Sequence, residues 1–331
     1  CNKKMVLKTI YNLPIFDYKH SNEIFEFDKD FIFPIIYKHF DNQKFEDCFV
    51  LLEVIDKIEI LQKDYPVELK TNLRGKVFDF VEVLKPEKNH KKKSVDWHQE
   101  EEDYRNEIIA FTKDFQKLEM VELFDNINVT LEIVNQNHVE WQLCNALEII
   151  LSNIGKVNPI LFSELLGVYF DKYNFRLNFL SIFYSFFSVN SKYYLKLFST
   201  IPTSRIDIKI NFHQALKTDD VTKEDLSLLY DDLKLTFQSI ANHYSFWDLT
   251  FISKYAIHKN ELVVYDEISD ILLSNCDNGI SQICFGIRFI NKCLEIQDYP
   301  LVKVAKVYFY SNKYDPHFDY NKEVLKKLVA K

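Results

Sequence analysis

The sequence predicts an all-α protein: antiparallel helix pairs stacked as an α-solenoid with a HEAT- or armadillo-like layout, in one or two subdomains. Three observations carry that expectation. Apolar side chains recur at three- and four-residue spacing along most of the chain. The 331 residues include only 5 Gly and 8 Pro, too few turn formers for a sandwich or barrel of many short strands. The helical segments also fall into pairs (44–84, 97–135, 138–171, 222–257 and 260–297), a period of roughly 35–40 residues like that of two-helix repeats. The residue signatures of tetratricopeptide and ankyrin repeats are missing, so the likeness is one of layout alone.

Each element follows from its own pattern. Residues 44–63 place Phe45, Cys48, Phe49, Leu52, Ile55 and Ile58 on one face, with Glu46, Glu53 and Glu59 away from it. Pro66 opens a second helix, since its missing N–H is harmless in a first turn. The seam of that helix is Leu69, Leu73, Val77, Phe80 and Leu84. Residues 85–96 read as an exposed loop containing Lys91, Lys92 and Lys93, with an acidic patch after it, and mark a boundary. Helices are expected at 97–116, 118–135, 138–154 and 159–171. Gly155 closes the third as a C-terminal glycine, and Asn158-Pro159 starts the fourth.

The segments 173–188 and 191–200 carry Phe175, Phe179, Phe183, Phe186, Phe187, Tyr193, Tyr194 and Phe198. Their apolar face is too wide for a half-exposed helix, which predicts the deepest part of the core. At 205–212, Ile206, Ile208, Ile210 and Phe212 alternate with polar residues at period two. With no partner strand nearby, this predicts an extended connector. Thr222 is the expected cap of a helix whose seam is Leu226, Leu229, Leu233, Phe237 and Ile240. Helices at 245–257, 260–275, 279–297, 300–311 and 320–330 complete the pattern. The resulting segments are 1–86, 97–204 and 213–331, the last ending in basic capping helices.

Composition excludes several function classes. Net charge is −8, and residues 301–331 carry seven Lys against three acids, leaving −12 for the rest. A nucleic-acid binder needs a concentrated positive face, so that partner is disfavoured. Glycine is absent wherever a phosphate cradle would need it, so no nucleotide loop is expected. No zinc-type His/Cys spacing and no G-x-S-x-G occurs, so no cofactor, metal or catalytic residue is assigned. The acids around Asp64 and Glu68 sit at a helix start, out of context for a metal-dependent nuclease. Asp219-Asp220 and Asp231-Asp232 read as a loop and a helix surface. Six cysteines lack C-x-x-C pairing, and five lie in apolar helical patterns as small hydrophobes, which fits a reducing, cytoplasmic setting. The longest uncharged run, Leu177 to Ser191, is too short and too polar to span a bilayer. A start at Cys1 instead of Met reads as a fragment or a renumbered chain.

The function expected from these features is non-catalytic: a protein-interaction scaffold or recognition arm that binds another protein through an elongated helical surface. Trp97, Trp141 and Trp247 are the candidate aromatic anchors, with Trp141 and Trp247 expected in the core. Lys91, Lys92, Lys93, Lys303, Lys306, Lys326 and Lys327 are the candidate charged contacts. Two alternatives stand beside it. One is a sensor or regulatory fragment of a larger, NTPase-type multidomain signalling protein. The other is an enzyme whose acid and His groups converge only in space, with His213, His243 and Asp248 as its candidates.

Overall fold

A computed structural model describes residues 3–11, 26, 30–31, 34, 38, 40–59, 74–85, 97–134, 136–239, 246–248, 250–256, 261–274 and 282–284. Twelve α-helices are traced among them: α1 (Lys3–Tyr11), α2 (Phe45–Glu59), α3 (Lys76–Leu84), α4 (Trp97–Thr112), α5 (Lys117–Val134), α6 (Asn137–Val157), α7 (Pro159–Lys172), α8 (Phe179–Phe187), α9 (Tyr194–Thr200), α10 (Ile206–Ala215), α11 (Lys223–Gln238) and α12 (Glu261–Ser274). Two 3-10 turns, Ser191–Tyr193 and Thr250–Tyr255, and one parallel pair of three-residue strands, β1 (Phe246–Asp248) and β2 (Gln282–Cys284), accompany them. The fold is all-α. None of the described helices is long and apolar enough to cross a membrane. The contacts divide the chain into two compact units, Cys1–Asn178 and Phe179–Lys331.

In the first unit, α2 is the hub. Phe49, Val50 and Ile55 are fully buried there, against Phe78, Val81 and Leu84 of α3. Lys85 and Glu53 form a 2.6 Å ion pair with little exposure on either side. α1 packs on both α2 and α5, and α6 packs on α4 and α7. Asn158 caps α7 as its sequence promised, its side chain accepting from the Leu161 N–H at 3.1 Å, with Pro159 next. Gly155 does not end α6. The helix runs on to Val157 and buries Gly155 within it, since the backbone there keeps its helical bonds and Asn158 performs the stop.

In the second unit, the expected helix at 173–188 begins only at Phe179. α8 packs chiefly on α10, where Phe212 meets Phe187, Phe198 and Phe183 at ring-centroid distances of 5.5, 5.3 and 6.1 Å. α10 corrects the extended connector expected at 205–212. The alternation of Ile with polar residues suggested a strand, but Lys209 and His213 are buried along with Ile208, Ile210 and Phe212. A helix buried on nearly all sides has no polar face, so its period is hidden. Thr222 caps α11 as expected, accepting from the Asp225 N–H at 3.1 Å, and Leu226, Leu229, Leu233 and Phe237 form its buried seam. The helix expected at 245–257 is instead β1 followed by a 3-10 turn. Of the one expected at 279–297, only Gln282–Cys284 lie among the described residues, and they form β2, which pairs Trp247 with Ile283. The expected helices at 300–311 and 320–330 lie outside the described residues.

Candidate functional site

Lys91, Lys92, Lys93, Lys303, Lys306, Lys326 and Lys327 lie outside the described residues, as do His243, Asp64 and Glu68. Trp97 is the first residue of α4, and its side chain, like those of Trp247 and Asp248, is also outside them. The structure therefore places none of these charged contacts and one of the three tryptophans. No group of three or more His, Cys, Asp or Glu among the described residues could hold a metal ion.

Trp141 is that tryptophan, and it is 67% exposed, which corrects the expectation of a core position. α6 buries Val139, Leu143, Ala146, Leu147, Ile150 and Ile154. At about 100° per residue, Trp141 stands nearly opposite that stripe. The phase of the apolar residues in the sequence already contained this signal. Asn137, His138 and Asn145, three or four residues from Trp141, share its face, and the first two are exposed. On α6 itself, the exposed or half-buried residues three and four positions from Trp141 are polar, while Cys144, also three away, is buried.

The acid–histidine alternative also takes a definite form. His213 on α10 is fully buried; its Nδ1 lies 2.6 Å from the Tyr255 hydroxyl and its Nε2 lies 3.2 Å from Asp232 Oδ2 on α11. Asp232 can only accept, so Nε2 carries the proton and donates, while Nδ1 accepts from the Tyr255 O–H. Lys209, one helical turn before His213, donates to Asp232 Oδ1. Asp232 is therefore no surface residue of the Asp231-Asp232 pair: only Asp231 is well exposed. Burial holds the His213 imidazole below its ordinary pKa despite Asp232. Burial raises Asp232, but hydrogen bonds from His213 and Lys209 outweigh it and hold the carboxyl below its ordinary value. The Tyr255 phenol is pushed well up by burial and by Asp232.

A carboxylate orienting a histidine that faces a hydroxyl is the arrangement of nucleophilic catalysis. Here the hydroxyl is sealed. Tyr255 is 4% exposed and His213 not at all, so no reacting atom reaches either. Beside the cluster lies a cleft of about 380 Å³ lined by Tyr184, residues 214–217, Phe251 and Lys254. Burial brings Lys254 down to about 8, so near neutral pH it remains mainly ammonium. Its Nζ donates to the carbonyls of His213, Gln214 and Leu216 at 3.2, 3.0 and 2.6 Å. These are orphan acceptors at the C-terminus of α10, and Lys254 spends all three donors on them. The cleft therefore holds no available nucleophile at that position. The cluster's work is cohesive: it ties α10, α11 and the Thr250–Tyr255 turn together.

Compared with known protein families, with curated proteins and with solved structures, the chain matches none.

Proposed function

We propose that the chain is a non-catalytic, cytoplasmic protein-interaction module that recognises another protein through its helical surface, with Trp141 as the anchor. The observation that carries this reading is the exposure of Trp141 on α6, opposite a fully apolar buried stripe. An indole left in water gains most when a partner covers it, and tryptophan is among the residues that dominate interface energies. Asn137, His138 and Asn145 supply the polar rim that such an anchor needs. The sealed state of the Tyr255–His213–Asp232 chain supports binding over chemistry. The stacking of the helix pairs as a HEAT-like array belongs to this proposal, as do the contacts of Trp97, Lys91, Lys92, Lys93, Lys303, Lys306, Lys326 and Lys327 with an acidic rim on the partner.

The test is site-specific photo-crosslinking in the cells of origin. A photoreactive residue at His138 should trap a distinct protein, and one at Glu224, exposed on the other unit, should not trap the same protein. Equal trapping at both positions, or none at His138, removes α6 as the recognition face.

A further inference from the structure

We propose that the Tyr255–His213–Asp232 chain is a pH-gated latch: protonation of His213 loosens the 250–256 segment from the end of α10 and opens the cleft that this segment walls. The segment is held at its C-terminal end by two adjacent side chains. Tyr255 donates to His213 Nδ1, and Lys254 grips the last carbonyls of α10. The first of these grips depends on the protonation state of His213. Neutral His213 is an acceptor at Nδ1 and a donor at Nε2, which satisfies both neighbours. Once protonated, it donates at both nitrogens, so the Tyr255 oxygen turns from donor to acceptor and its O–H is left, among the described residues, without an acceptor in a site only 4% exposed.

The charged and titratable groups around the ring come from every element packed on α10. Lys209 lies on α10 itself. Asp232 and, beyond it, Tyr230 come from α11, where the Tyr230 ring lies 5.9 Å from that of Tyr255. Lys254 and Tyr255 come from the turn. α8 presents only the rings of Phe183 and Phe187 to Phe212, and its Tyr184 lies out at the cleft. Phe198 of α9 faces the ring at 6.1 Å. Asp232 favours the imidazolium, whereas burial, Lys209 and Lys254 oppose it, and the opposition wins. The Tyr255 contact is therefore at full strength above the free-histidine value of 6.5 and weakens as the pH falls below it. Lys254 stays charged throughout that window, so acid loosens the segment instead of detaching it. The loosened segment carries Phe251, which lines the cleft beside the Lys254 tether.

Native-state hydrogen exchange on the full chain at about pH 7.5 and about pH 5, corrected for intrinsic rates, tests the latch. The reporter is the Ala256 amide, which bonds to the Ser253 carbonyl at 3.0 Å. Its opening equilibrium should rise on acidification, with a ceiling of about 30-fold set by 1.5 pH units below 6.5. The amides of α7 in the other unit should not follow. His213→Gln, which can donate to Asp232 and accept from Tyr255 at every pH, should flatten the response. Should that variant not fold, imidazole ¹⁵N resonances of the wild type decide the matter: His213 must be the Nε2–H tautomer and titrate below 6.5. An unchanged Ala256, an equal acceleration in α7, a His213→Gln protein with wild-type pH dependence, or the opposite tautomer overturns the proposal.

Discussion

Replacing Asp232 by alanine strips the carboxylate from two buried partners at once. Lys209 is 6% exposed at its side chain and His213 is fully buried, so neither recovers its lost bond from water. Breaking one side of a buried ion pair costs about 3–5 kcal/mol, because a charge is left without compensation. For a unit of this size that corresponds to a fall in melting temperature of roughly 6–20 °C. The double variant Lys209→Met with Asp232→Asn changes two positions yet should cost less, about 1–2 kcal/mol, because the asparagine oxygen still accepts from His213 and the pair is removed without leaving either of its charges uncompensated. Urea unfolding followed by circular dichroism and tryptophan fluorescence measures both. A cost for Asp232→Ala below about 1 kcal/mol, or a double variant weaker than the single, would refute the view of this cluster as a structural fastener.

Phe212→Ala should destabilise the second unit by about 3–5 kcal/mol, since four rings close on that side chain; a cost within the range of a surface change would show that α8 and α10 pack otherwise. Burial pushes the thiols of Cys48 and Cys144 up to about 12, so mass-mapped alkylation of the folded protein near neutral pH should leave both unmodified and reach them only after unfolding. Lys254 should titrate near 8 in ε-carbon NMR of the native state, and a midpoint at the ordinary lysine value of 10.5 would contradict its burial against α10.

The hydrophobic rhythm made much of the helical fold legible. The seams of α2 and α11, the Asn158-Pro159 restart and the Thr222 cap are local devices, and local devices are written in local sequence. What failed was burial of a different kind. α10 hides Lys209 and His213 inside the protein, and a pattern that treats polar residues as exposed reads such a helix as a strand. Read as a helix, the same sequence would have put Lys209 and His213 on one face, but Asp232 and Tyr255 join them only through tertiary packing. β1 and β2 are three residues each and pair across more than thirty positions, a contact that leaves no local trace. The phase of Trp141 against Val139, Leu143 and Ile150 sets it outside the core, a signal that the local sequence carries by itself.

Affinity capture with the wild type, Trp141→Ala and His213→Gln as parallel baits tests the claim of surface recognition most directly. Trp141→Ala should leave stability within about 0.5 kcal/mol, as an exposed position should, yet lose the captured protein. His213→Gln, provided it folds, should retain it. Undiminished capture by Trp141→Ala, with loss confined to His213→Gln, would contradict the account and return attention to the buried cluster.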